Sequence, residues 1–224
     1  MAHTVRETLK RAMRLHGALA TGDDPSADEL TDALLTMNTL KRSMFGTIIG
    51  PRLASVGLIG TTGQAESGGK YAIPAAAFTL TAPLNPKSGA RFGVADANLN
   101  FGTNACTINR NGRLIEGAAS NLSLSTNGDN RTWFFDGHTG NWILEKDYAT
   151  VDDSIEFPDA LVSYLPNMLA VAMAAEFGSE IRADVVAGAN EGRQAFARQY
   201  GRRGRNQSDM PIGVQIDGGG ARGG

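Results

Sequence analysis

Cys106 is the only cysteine in 224 residues. A lone thiol excludes an intrachain disulfide and any cysteine-based zinc cluster, so a protein made and folded in cytosol is the expectation. Long apolar runs are missing as well: no stretch approaches the ~20 residues that cross a bilayer. The first residues run straight into an amphipathic pattern carrying Arg6, Glu7, Lys10, Arg11 and Arg14. They lack the apolar stretch of a secretory signal, and no membrane partner is expected. Aromatic residues are modest at 7%, with two tryptophans, while 42% of the chain is hydrophobic. That share is enough for a real core in one or two domains.

Catalytic spacing is scarce. The three histidines, His3, His16 and His138, form no His-x-x-x-His pair, and no Gly-x-Ser-x-Gly elbow is present. Cys106 lies in a strand pattern and reads as a small buried apolar group. Asp23, Asp24, Asp28 and Glu29 miss the spacing of a calcium loop. Asp152, Asp153 and Glu156 fit either a cation site or a solvated acidic loop, the latter being the simpler reading. Gly69-Lys70 suggests a phosphate loop, but Gln64 stands where its first glycine belongs and Tyr71 replaces the magnesium-binding hydroxyl. No enzyme, cofactor or metal is expected.

What the chain does have is two helix-pattern segments flanking a strand-pattern stretch. Val5, Leu9, Ala12, Met13, His16 and Leu19 form one stripe at helical spacing. Ser26 with Glu29 matches a capping box, opening a second helix striped by Leu30, Ala33, Leu34, Met37, Leu40 and Met44. Residues 46–70 are Gly-rich and read as a connecting loop holding one short strand near 54–59. Strands are predicted at 77–81, 91–96, 106–109, 114–116, 122–125, 132–136 and 142–145. Asn111-Gly112, Asn127-Gly128 and Asp136-Gly137 are hairpin dipeptides between them. Trp133, Phe135 and Trp142 read as core aromatics, with a sugar-binding platform as the competing use. Helical spacing resumes at Pro158, with Pro166 expected to kink or divide the helix. A last helix is striped by Ile181, Val185, Ala189, Phe196 and Tyr200.

The predicted fold is therefore α+β: a helical bundle of two hairpins, residues 1–60 and 150–205, interrupted by an inserted antiparallel β-sandwich or barrel at 61–149. Residues 206–224 read as a flexible tail, since five of the last eight are glycine. The net charge of -2 hides an asymmetry. Residues 193–205 carry Arg193, Arg198, Arg202, Arg203 and Arg205 with no acidic residue among them, whereas 23–29 and 147–159 are acidic. Such a basic run is a solvated or protein-contact face, or a polyanion contact.

A resemblance enters at the second helical segment. Phe157-Pro158-Asp159-Ala160-Leu161, followed by residues 167–178 with their Asn-Met-Leu-Ala core and Glu176-Phe177-Gly178 stop, resembles the C-terminal helical pair of phage head-to-tail adaptor proteins. Ala175 stands in place of that family's proline and Phe177 in place of its tyrosine. The N-terminal hairpin is similar to the adaptors of short-tailed phages, the tail accessory factors. Separately, Phe101-Gly102-Thr103-Asn104 through Ile108, with Asn111-Gly112 and Ile115-Glu116-Gly117, resembles a β module of phage tail and fibre proteins. The resemblance implies a virion structural protein at the head-tail junction, forming a ring, usually dodecameric, under the portal protein. Its implied partners are the portal, the tail nozzle or tail tube, a tail fibre docked by the β insertion, and DNA in the channel. The portal-binding residues it implies are Arg198, Arg202, Arg203, Arg205, Met210, Ile212, Val214 and Ile216. The competing reading is a carbohydrate- or receptor-binding β module on a helical oligomerisation scaffold, with Trp133, Trp142 and His138 near its surface; a small hydrolase ranks third.

Overall fold

The computed structural model describes residues 3–57, 61–73, 76–177 and 180–201. The helices are α1 (Val5–His16), α2 (Ala27–Met44), the single turn α3 (Asp159–Val162), α4 (Leu165–Phe177) and α5 (Ala183–Tyr200). Capping boxes open the first two: Thr4 with Glu7 and Ser26 with Glu29 each exchange side-chain and backbone hydrogen bonds. Only the second was read from the sequence, although Thr4-Val-Arg-Glu7 carries the same signature. The α1 stripe is buried from Val5 to His16. Pro166 falls in the first turn of α4, where its missing N–H is harmless, and the break between α3 and α4 precedes it. Helix α4 touches α1, α2, α3 and α5. Its sequence is apolar on every side, and Met168, Leu169, Ala170 and Met173 are fully enclosed, as befits a central helix.

The strands are β1 (Ala54–Gly57), β2 (Thr62–Gln64), β3 (Gly69–Ile73), β4 (Phe78–Thr81), β5 (Arg91–Asp96), β6 (Cys106–Asn109), β7 (Leu114–Ile115), β8 (Leu122–Leu124), β9 (Asn130–Asp136) and β10 (Asn141–Leu144). They form two mixed sheets, one ordered β1-β3-β5-β9-β10-β7 and the other β2-β4-β6-β8. The first six strands alternate between the sheets, and every pairing among them is parallel. The chain thus coils through three rungs. It then reverses, adding β8 antiparallel to β6 and β9 antiparallel to β5.

This overturns the predicted architecture. The protein is α/β with two mixed sheets, not a helical bundle interrupted by an antiparallel sandwich or barrel. Hairpin dipeptides misled the reading. Asp136-Gly137 does join the antiparallel pair β9 and β10. Asn111-Gly112 and Asn127-Gly128 instead carry the chain from one sheet to the other. The left-handed backbone that Asn-Gly favours serves a corner between sheets as well as a hairpin.

The β strands are also not an appendage. Between the sheets lies one core, containing Tyr71, Phe78, Leu80, Phe92, Ile108, Leu124, Trp133 and Trp142. Phe92 stacks on Trp133 with ring centroids 5.1 Å apart and meets Trp142 edge-on at 4.8 Å. The neighbouring Phe134 points the other way, into the helical core. There it packs on Phe45, Phe157 and Tyr200. Strand β9 is a shared wall, which explains why Trp133, Phe134 and Phe135 are all buried although a strand with one wet face would alternate.

A candidate docking groove at the end of the last helix

Where the sheet wall meets α5, the chain leaves an open groove of about 1250 Å³. One wall is the β9–β10 turn, with His138 and Thr139; another is the 144–161 segment; the third is the last turn of α5, with Ala195, Arg198 and Gln199.

Asp136 builds the first wall. Its carboxylate accepts the His138 and Thr139 amides at 3.2 Å each and the Thr139 hydroxyl at 2.7 Å. The Tyr200 hydroxyl donates to the same carboxylate at 3.3 Å. Burial, with the Asp136 charge beside it, pushes the Tyr200 phenol well above its ordinary pKa, so it stays a neutral donor.

The 144–161 wall is held to α2. Asn38 brackets Tyr148, donating to its carbonyl at 3.1 Å and accepting its amide at 2.9 Å. Lys41, almost wholly buried, pairs with Glu156, donates to the Lys146 carbonyl at 2.7 Å and lies 4.0 Å from the Tyr148 ring centroid. Asp153 accepts the amides of Thr150 and Ala149, which hold its carboxyl below the usual range. The start of α1 joins here too: the Val5 and Arg6 amides donate to the carbonyls of Asp153 and Val151, giving partners to helix-start donors.

Five carboxylates border the groove, and four are occupied internally. Glu116 accepts the Trp133 indole at 2.9 Å, Asp136 and Asp153 cap turns, and Glu156 pairs with Lys41. Asp159, three-quarters exposed, has only a 3.9 Å contact with His3. Arg198 is exposed and has no ion-pair partner among the described residues. The arrangement is a mixed apolar and polar surface whose carboxylates are largely tied down, with the exposed side chains of Arg198 and Lys146 both on it.

The remaining candidates are scattered. Among the portal-binding residues implied by resemblance, Arg198 lies on the groove rim. Arg202, Arg203, Arg205, Met210, Ile212, Val214 and Ile216 lie outside the described residues. Asp152 pairs with Arg6 at 2.9 Å, away from the partners of Asp153 and Glu156, so these acids form no common cation site. Among the described residues no group of three His, Cys, Asp or Glu side chains could hold a metal. Gly69 and Lys70 belong to β3 and make no phosphate loop. Cys106 is fully buried, and burial pushes its thiol up to about 12. Trp133 and Trp142 are likewise fully buried, leaving no aromatic sugar platform on them; His138 is exposed. Asp136 and Tyr200 were not recognised as a pair, because one read as a turn residue and the other as part of an apolar stripe. No described helix is long and apolar enough to cross a membrane.

No family model matches the chain, and no curated protein matches it.

Proposed function

We propose that the protein is a structural head-to-tail adaptor of a phage virion. In this reading it forms a ring, dodecameric by resemblance, under the portal and connects the DNA-filled head to the tail nozzle or tube. The observation that carries the reading is the closure of two distant helical segments around α4. The segments so closed include the stretches that resemble adaptor helices, and the end of α5 lies beside an open groove, with Arg198 lacking an ion-pair partner among the described residues. An unpaired cation at a rim steers association and sets register more than it adds affinity. The arginines and apolar residues of 202–216 follow directly, a composition suited to a partner surface. On the same reading the β unit offers its turns to a tail fibre. The burial of Trp133 and Trp142 gives the carbohydrate-binding alternative no support.

Light scattering should find the isolated chain monomeric or weakly associated, and negative-stain microscopy with portal should show rings. Arg198→Glu, at an exposed position, should leave the melting temperature unchanged and weaken portal attachment. Deleting residues 202–224 should weaken it further. A tight dimer both alone and with portal, or unchanged attachment after truncation, would overturn the proposal. A steep salt dependence of DNA binding would instead assign the arginines to the channel.

A further inference from the structure

The coil of strands has an open end. Strand β1 stands at the edge of one sheet and β2 at the edge of the other, so both outer edges belong to the first rung. Ala54, Ser55, Gly57, Thr62 and Gln64 are exposed there, while Val56 packs on the core beneath. Repeating coils are closed at their ends by polar caps, and edge strands are shielded by lysines, prolines or bulges. From Leu53 through Ala65 the sequence has neither a charge nor a proline.

Backbone parity says which groups are bare. The Ala54 amide donates inward to the Gly68 carbonyl, and the Ala65 amide to the Thr81 carbonyl. In a parallel ladder alternate residues face alternate sides. Ser55 and Gly57 therefore turn their N–H and C=O outward from one edge, and Thr62 and Gln64 from the other. Neither edge meets a further strand among the described residues.

An occupant has to fit two edges at once. Only residues 58–61 separate β1 from β2, so β2 runs back against β1 across a core of sheets stacked ~10 Å apart. A single foreign strand would cover one edge and leave the other in water. The same end of a second copy covers both. Half a turn about an axis crossing the two sheets reverses each strand, laying β1 antiparallel to β1 and β2 antiparallel to β2. Val56 and Gly63 lie beside Tyr71 and Leu80 of the next rung. With the axis through these two, Ser55 of one copy stands opposite Gly57 of the other, and Thr62 opposite Gln64. Each such pair sets bare donors against bare acceptors, as in the hydrogen-bonded pair of an antiparallel ladder. No like charges meet across the contact.

We infer that two copies of the chain join end to end through these edges, as a two-fold dimer whose sheets run on from one copy into the other. Edges of four and three residues bury less than a stable interface needs, so the dimer is weak and forms only on concentration. The inference is independent of the portal reading, and its test contains no portal.

Hydrogen exchange at single amides tests it, on the full chain over a range of protein concentrations, beside sedimentation velocity. As the mean mass rises from one chain towards two, the amides of Ser55, Gly57, Thr62 and Gln64 should slow about tenfold. Val94 in the buried ladder should stay protected throughout, reporting an intact fold. Ser55→Pro/Thr62→Pro removes two outward donors and no internal one, which an edge strand tolerates, and should hold the chain monomeric. Ser55→Lys/Thr62→Lys, which sets charge on both edges, should do the same; where the proline chain loses Val94 protection, the lysine chain decides. Exchange of the four amides that is equal at every concentration overturns the inference. Fast exchange would mean bare edges, and slow exchange a cover from within the chain. A dimer that the variants form as readily as the wild type overturns it too, placing the contact elsewhere.

Discussion

The Gly50 amide donates to the Tyr200 carbonyl, joining the loop after α2 to the end of α5 across 150 positions of sequence. Gly89 presses on the same carbonyl, so closely that a Cβ built there would overlap the oxygen. Its φ of 82° lies in the left-handed region, where a side chain costs about 1–2 kcal/mol by itself. Gly89→Ala adds a clash with backbone, which cannot swing aside as a side-chain tip can. We predict a loss above ~2 kcal/mol in urea unfolding. Gly112→Ala, with φ 77° but nothing near its Cβ, should lose only the conformational part, about 1–2 kcal/mol.

Lys41 and Glu156 test the wall of the groove. Their pair is enclosed, with side chains 4% and 19% exposed, and Lys41 also satisfies the Lys146 carbonyl. Removing one partner strands a charge in a dry site, at a cost of about 3–5 kcal/mol. Lys41→Met should therefore destabilise strongly. Lys41→Met/Glu156→Leu should recover part of the loss, because no charge is then left alone. A double mutant as unstable as the sum of the singles in urea titrations would show that the two residues act independently.

Much of the helical part was legible. Apolar stripes at 3.6-residue spacing and the Ser26–Glu29 box depend on neighbours in sequence, and α2 begins at Ala27, directly after its predicted cap. Strands β5 and β6 also fall at their predicted bounds. Their partners were not legible, because pairing depends on contacts far along the chain. Nothing local in residues 69–73 shows that Gly69 lies beside Phe92, and Gly-rich sequence hid β2 and β3. The groove was illegible for the same reason: it exists only because Asp136, Tyr148, Glu156 and Arg198 come from segments that the fold brings together. Phe134 was hidden for another reason, since both faces of its strand are buried and alternation vanishes.

Asp96 gives a pH dependence with a definite sign. Burial pushes its carboxyl up, but the amides of Gly128, Phe101, Asn100 and Asn98 outweigh that and hold it below its ordinary pKa. The distances are 3.0 Å to Gly128 and 3.1 Å to both Phe101 and Asn100. A depressed folded-state pKa contributes stability that is present above the unfolded value, about 3.9, and lost as pH falls through the folded one. Asp96→Asn should lower stability at pH 7 and flatten the acid limb of the stability curve below about pH 4. Urea midpoints measured from pH 7 down to pH 2 check this; a mutant curve parallel to that of the wild type would remove Asp96 from the acid response.

Phe134 decides whether the β unit can be removed. An insertion whose ends return close together is expected to come out without harm, and a short Gly-Ser linker replacing residues 70–148 would then leave the helices folded. The packing predicts the opposite. Excision removes Phe134 from between Phe45, Phe157 and Tyr200. It also removes Tyr148, which Asn38 brackets, and Gly89, against which Tyr200 rests. Losing the Phe134 ring alone, in Phe134→Ala, should cost about 3–5 kcal/mol. That is a large part of a typical domain's stability of ~5–15 kcal/mol. The linker chain should therefore lose helical circular dichroism and cooperative melting. Cooperative melting of the linker chain with full helix content would make the helices autonomous. Phe134→Ala separates the causes: a single transition at lower temperature, seen equally by helix dichroism and tryptophan fluorescence, is expected if β9 binds both cores into one folding unit.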